Sequence, residues 1–285
     1  MTILTRITDF RPANILVRIS GLNDLSEDEV TNMAGTPKTT KVINAETEQP
    51  HDLPTAPQYL VYPLNWDDIL SSGPNGAALL NNPQTCLIDF SESYETSNPP
   101  PDLGIPQIYC SPEYCLEDTI SISSDIWALG CTLFEIRTGR KLFDIFDPDD
   151  KDEYLATMAM VLGRFPEPWW SETWERRRRY FKDENEDGTD TVGGRVVDVM
   201  SHGETGSSGV VVLSQKPEPR SLEEALREGL FYEDRDGPGG LEKPISEREA
   251  IIFADLLGKL LAYSPEERLS PAAALEHEWF RFIEP

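Results

Sequence analysis

The chain has 285 residues, 39% of them apolar, enough to bury one large core or two small ones, which excludes a fibrous or unstructured protein. Its 51 Asp and Glu against 25 Lys and Arg leave a formal charge of −26, which repels nucleic-acid phosphates and anionic membrane surfaces. Direct nucleic-acid or membrane binding is therefore not expected, and a charged partner should be basic.

In chain order, Ile15, Val17 and Ile19 alternate with other residues as in a short strand. Residues 21–84 are rich in Thr, Asn, Pro and acids around one apolar island at 59–66, and predict an insertion that is mostly loop. Residues 85–90, TCLIDF, predict a buried strand, and three prolines at 99–101 force a loop after it. Ser124 is read as the cap of a helix through Ile126, Trp127, Leu129, Leu133 and Ile136 that Gly139 stops, buried on most sides. Residues 182–219 are acidic and Gly/Ser-rich, too poor in apolar side chains to offset the entropy of ordering, and predict a disordered insertion. Three helices close the chain, with S-x-x-E capping boxes at Ser221/Glu224 and Ser246/Glu249 and with Ser270 and Pro271 at cap and first position. The longest apolar run, residues 251–263, is short and interrupted by Asp255 and Lys259, so it cannot span a bilayer. The first ten residues also lack the apolar core of a signal peptide, and the expected location is intracellular, in the cytoplasm or nucleus. Cys86, Cys110, Cys115 and Cys131 form no C-x-x-C pair, and His51, His202 and His277 are scattered, so neither a zinc site nor a disulfide framework is indicated.

Asp9-Phe10-Arg11-Pro12-Ala13-Asn14 sets a carboxylate, a cation and an amide within six residues, just before a strand. Alone it reads as a polar turn. Four further signals follow in a fixed order: Asp89-Phe90-Ser91 after a strand, Ser111-Pro112-Glu113, Ser124-Asp125-Ile126-Trp127-Ala128-Leu129-Gly130, and Arg268. Together they resemble the signature set of the eukaryotic-type protein kinases. The long insertion before Asp89 and the stretch LFDIFDPDDKDEYLATMAMVLGRFPEPWW are similar to fungal SR-protein-kinase relatives.

The resemblance implies a mainly α chain within an α+β family fold: a partial kinase domain over residues 1–285, its large C-terminal lobe with short strands around the catalytic loop and the D-F-G segment. It implies that Asp9 orients a substrate hydroxyl and accepts its proton, that Arg11 stands where a lysine usually neutralises the transferred phosphate, and that Asn14 and Asp89 hold magnesium through oxygen atoms, with ATP as donor. Glu113 would pair with Arg268 as a buried ion pair, and Asp125 would hold the catalytic-loop backbone from below. The implied substrate is a protein, basic and rich in Arg and Ser; nothing in the sequence sets an oligomeric state.

The pattern also departs from the family. Ile7 and Thr8 replace the usual His-Arg, Ser91 replaces the D-F-G glycine, and Cys110 stands where related kinases often have arginine. Only eight residues precede Asp9, so the resemblance further implies that the ATP-gripping small lobe is absent and that the isolated chain is weak or inactive. The competing expectation is a kinase-like lobe without catalysis that binds a basic partner. A small-molecule phosphotransferase is a third, against which the Ser-Pro-Glu segment and the Asp125 helix argue.

Overall fold

The structure, a computed structural model, describes residues 5–6, 9–19, 21–51, 53–64, 69, 79, 83–95, 98, 104–181, 220–227, 230–232, 241–243 and 245–283. A two-residue strand, β1 (Thr5–Arg6), is followed by a 3-10 turn at Pro12–Asn14, then β2 (Ile15–Arg18), α1 (Glu27–Ala34), β3 (Thr39–Lys41), β4 (Tyr59–Val61), β5 (Gln84–Leu87) and β6 (Tyr94–Glu95). Helices take over from there: α2 (Pro112–Glu117), α3 (Ile122–Thr138), α4 (Lys151–Leu162), α5 (Leu222–Arg227), α6 (Glu247–Leu260) and α7 (Pro271–Leu275), with β7 (Leu230–Tyr232) and β8 (Leu241–Lys243) between α5 and α6. The described sheets are all two-stranded and antiparallel, β1 with β6, β2 with β5, β3 with β4 and β7 with β8. The fold is helical with few strands. Two units are distinct, one of residues 1–14 and 89–285, the other of residues 15–88.

In the smaller unit, β2 pairs with β5 in the register Ile15 opposite Leu87. The expectation of a buried strand at 85–90 is corrected here. Leu87 and Ile88 are exposed, as are Leu16 and Val17 of β2, because a ribbon of two strands has no third strand or packed layer of its own to cover a face. Residues 21–84 also hold more regular structure than the sequence suggested. Ser26 caps α1 in a reciprocal box, its Oγ accepting from Glu29 N at 3.3 Å while its own N–H donates to Glu29 Oε2 at 2.8 Å. That signal, S-x-x-E, is legible in the sequence and the polar composition around it hid it. The apolar island forms β4, paired with β3.

The larger unit is organised on α3. Trp127 is fully buried and stacks between Phe143 (5.7 Å between centroids) and Tyr263 (6.4 Å). Ile126, Cys131 and Phe134 are buried beside it, whereas Leu129 and Leu133 are half-buried and Ile136 is exposed. The cap of this helix is Ser121 rather than Ser124: Ser121 N–H donates to Ser124 Oγ at 3.0 Å and its carbonyl accepts from Ser124 N–H at 2.8 Å. Ser124 lies one turn inside, and Gly139 ends the helix in the left-handed region at φ 71°. Helix α6 crosses α3 where Gly130 leaves room; a Cβ there would lie 2.8 Å from Leu261 Cδ2.

Helix α4 is capped by Asp150, whose carboxylate accepts from the N–H groups of Asp152 and Glu153. Beyond it, Phe165, Trp169, Trp170, Trp174, Tyr180 and Phe181 pack edge-on and stacked into one aromatic cluster. The indole N–H groups of Trp169 and Trp174 find acidic acceptors, on Glu117 (2.6 Å) and Asp152 (2.9 Å), which lets these two rings be buried without stranding a donor. The Ser221/Glu224 box closes in both directions. The Ser246/Glu249 box closes in one only, because Glu249 is buried and its carboxylate forms a bidentate pair with Arg137 at 2.6 and 2.7 Å. The expected disordered insertion at 182–219 and the family-departing Ile7 and Thr8 lie outside the described residues. No described helix is long and apolar enough to cross a membrane.

Candidate active site

The chain leaves the larger unit after Asn14 and re-enters it at Asp89. Because Ile15 pairs with Leu87, the two exits stand at the same end of one ribbon. Local chemistry then shapes the first exit. Pro12 has its φ set in advance and opens a 3-10 turn closed by Asn14 N–H on Arg11 O at 3.0 Å. That turn swings the Asn14 amide back onto Asp9. Nδ2 donates to Asp9 O at 2.9 Å and to Asp9 Oδ2 at 2.7 Å, so both amide hydrogens are engaged and the amide oxygen is the atom left to ligate.

Asp9 and Asn14 are buried, with 8% and 6% of their surface exposed, so the Asp9 carboxylate needs partners. Arg11 supplies the charge: its Nε lies 2.9 Å from Asp9 Oδ1. The loop is fastened to α3 as well. Thr132 Oγ1 donates to the Phe10 carbonyl at 2.9 Å, and the Phe10 ring packs on the core. Thr132 was not read from the sequence as a site residue; the available signal was a hydroxyl among the apolar residues of a buried helix.

Asp89 lies on the second exit with a left-handed backbone, φ 59°. Its side chain is exposed, and Oδ1 accepts from Ser91 Oγ at 2.6 Å and from Ser91 N–H at 3.4 Å. The Ser91 hydroxyl, then its N–H, then the Arg11 guanidinium hold the Asp89 carboxyl below its usual range. Arg11 thus acts on both Asp9 and Asp89.

The remaining sequence-picked residues stand apart from this cluster. Arg268 grips Glu113 bidentately, Nη1 to Oε1 at 2.8 Å and Nη2 to Oε2 at 2.6 Å, with side chains 0% and 2% exposed. Ser124 Oγ adds a third bond to Glu113, and Arg268 also bonds the carbonyls of Ala262 and Ser123 and lies over the Trp127 ring at 5.2 Å. The pair therefore joins α2, α3 and the segment after α6. Asp125 sits in the first turn of α3, where a carboxylate suits the helix dipole, and lines a small pocket with Ser111, Tyr109 and Ser124. Cys110 is buried, its carbonyl accepting from Tyr154 Oη at 2.8 Å.

The comparisons with known proteins bear directly on this layout. A family model described as the protein kinase domain matches residues 78–280, well over half of the chain. The chain belongs to the protein kinase domain family. Among the chain's curated relatives, the mouse "Dual specificity protein kinase CLK1" is 29% identical over 199 residues, 70% of this chain and 33% of that protein. The Arabidopsis thaliana "Serine/threonine-protein kinase AFC3" is 30% identical over 198 residues, 68% of this chain and 40% of that protein. The Schizosaccharomyces pombe "Dual specificity protein kinase lkh1" is 26% identical over 202 residues, 71% of this chain and 24% of that protein. The chain thus spans well under half the length of these relatives. Asp89, Glu113, Asp125 and Arg268 fall inside the matched residues, and Asp9, Arg11 and Asn14 precede them.

The family generally uses ATP and magnesium. Among the described residues there is no group of three or more His, Cys, Asp or Glu that could hold a metal. Asn14 and Asp89 nonetheless offer an amide oxygen and a carboxylate kept anionic. That donor set fits magnesium, a hard cation that takes one or two protein oxygens and keeps several waters.

Proposed function

We propose that this chain carries the large lobe of a serine/threonine protein kinase of SR-protein-kinase-like character, transferring the γ-phosphoryl group of ATP to a hydroxyl of a basic, Arg/Ser-rich protein. One observation carries the reading: in a chain of the protein kinase family, one short turn gathers Asp9, Arg11 and Asn14 through direct hydrogen bonds and an ion pair. Asp9 orients the substrate hydroxyl and takes its proton at the carboxylate. Asn14 steadies that carboxylate through Nδ2, which leaves its amide oxygen for a metal ion. Asn14 and Asp89 would hold magnesium, which when bound supplies positive charge to the phosphate oxygens of ATP. Arg11 balances the two carboxylates and keeps a cation beside them; its planar, always-charged group differs in reach from lysine. Glu113, Asp125 and Arg268 act as structural supports of the substrate-binding segment and the loop. The curated relatives' names, serine/threonine and dual-specificity kinases, support this class.

The test is phosphoryl transfer from ATP and magnesium to an Arg/Ser-rich peptide. Asp9→Asn should lower kcat by at least about 100-fold, the ordinary contribution of a positioned base, while the melting temperature stays put. Full activity in Asp9→Asn would overturn the assignment of the base. The formal charge of −26 favours one other reading, a non-catalytic lobe that binds a basic partner, and peptide binding without transfer is its signature.

A further inference from the structure

Three successive carbonyls of the turn that carries Asp9 are each held by a donor. The Asp9 carbonyl accepts from Asn14 Nδ2 at 2.9 Å and the Arg11 carbonyl from Asn14 N–H at 3.0 Å, so these two bonds tie the turn to itself. The Phe10 carbonyl between them accepts from Thr132 Oγ1 at 2.9 Å, a bond that reaches across 122 positions of sequence to α3. A helical threonine often spends its hydroxyl on the carbonyl one turn back, as Thr138 of the same helix does on Phe134 O at 2.8 Å. Thr132 gives its hydroxyl to the turn instead, and its side chain is fully buried beside Cys131 and Phe134. A hydroxyl buried there without a partner would be costly, so the bond to Phe10 is what makes threonine tolerable at this position.

We infer that Thr132 is a positioning residue for phosphoryl transfer, holding the peptide unit between Phe10 and Arg11 so that Arg11 stays on the Asp9 carboxylate. The inference rests on the proposed reading of Asp9 as the base. A peptide unit is planar, so fixing the Phe10 oxygen also fixes the direction in which the Arg11 backbone departs. From that backbone Arg11 Nε reaches both carboxylate oxygens of Asp9, at 2.9 Å from Oδ1 and 3.1 Å from Oδ2. Asp9 and Arg11 thus flank the anchored residue, one on each side. The anchor itself is rigid, because Trp127 of α3 is stacked between Phe143 and Tyr263 in the core. Without the hydroxyl the unit can turn about the two soft dihedrals beside it, which shifts Asp9 and Arg11 against each other. Such a shift acts on the reacting hydroxyl rather than on substrate binding, and a misplacement of about 1 Å costs on the order of 100-fold in rate. Valine keeps the shape of threonine and removes the hydroxyl; serine keeps the hydroxyl and removes the methyl group.

The experiment makes two measurements on the parent chain, Thr132→Val and Thr132→Ser, at a temperature where all three are folded. One is transfer from ATP and magnesium to an Arg/Ser-rich peptide, and the other is proton exchange at Arg11 Nε by nuclear magnetic resonance. Expected in Thr132→Val is a kcat lower by at least about 10-fold with KM within about twofold, and Arg11 Nε–H exchange faster by at least about fivefold. Thr132→Ser should stay within about threefold of the parent in both, although it loses packing. Thr132→Ala, which leaves room for a water on the Phe10 carbonyl, replaces the valine variant if that one does not fold. A parental kcat in Thr132→Val, or equal losses in the valine and serine variants, overturns the positioning role and leaves Asp9 as the base. Absence of transfer in the parent overturns the kinase reading of Asp9, and the exchange rates then judge the hold of Thr132 on Arg11 by themselves: unchanged exchange in Thr132→Val overturns it.

Discussion

Glu113 and Arg268 carry charges that neither could keep in the core alone. With 2% and 0% of their side chains exposed they share two short bonds, and Ser124 and three backbone carbonyls absorb most of the remaining hydrogen-bonding capacity. Removing one partner leaves the other buried and uncompensated. Glu113→Gln or Arg268→Met should each lower the free energy of unfolding by about 3–5 kcal/mol in urea titration, and the double variant should lose less than the two singles added. A loss under about 1 kcal/mol in either single variant would contradict this account. The residues of this pair were legible through the resemblance to the kinase motif set, in which a carboxylate after Ser-Pro pairs with a late arginine. Thr132 and the Ser91 hydroxyl were not, since a hydroxyl shows its partner only when the backbone has brought one within reach.

At the level of elements, termini were easier to read than faces. The S-x-x-E boxes at Ser221 and Ser246 and the Ser270-Pro271 start rest on local bonds that three or four residues specify by themselves. The strand at 84–87 was recognisable and its burial was not, because burial depends on what lies opposite the strand. Packing of α3 against α6 is likewise a property of two distant segments. Gly130 sits at their crossing, where an added Cβ would meet Leu261 Cγ at 2.9 Å and Leu260 Cβ at 3.3 Å, and both leucines are buried. Alanine would raise helix propensity by about 1 kcal/mol, and the clash is worth about 1–3 kcal/mol in the opposite direction. Overpacking should win, so Gly130→Ala is expected to melt below the parent in a thermal scan. A variant as stable as the parent would show that α3 and α6 separate more easily than their buried leucines imply.

For the whole molecule, the buried phenols give a pH signature. Burial raises Tyr154 and Tyr263 well above the ordinary tyrosine value; Tyr109 is raised by burial and by its bond to Glu135; Tyr180, through burial and Asp150, is pushed up to about 12. Their folded values exceed the unfolded one, so the stability they contribute is fully present below about pH 10 and is lost as pH rises beyond it. Tyrosinate absorbance should accordingly appear in step with the loss of tertiary circular dichroism above about pH 10. Titration of these phenols at their ordinary pH in a chain that stays folded would refute the burial.

The sequence by itself determined the family, through ordered motifs that each need only a few residues, and the strongly acidic character, which is a sum over composition. It also determined the starts of the last three helices, α5 to α7, where capping is local. Only the tertiary structure decided that Asp9, Arg11 and Asn14 close on one another and that the chain returns at Asp89 beside the point where it left after Asn14. Between Asn14 and Asp89 lie residues 15–88, and the pairing of Ile15 with Leu87 is what cancels that separation. Contacts of that kind form between surfaces that no local pattern encodes. The exposed faces of β2 and β5, the double use of Asp89 Oδ1 by Ser91 and the diversion of Glu249 from its cap to Arg137 all follow from the same cause.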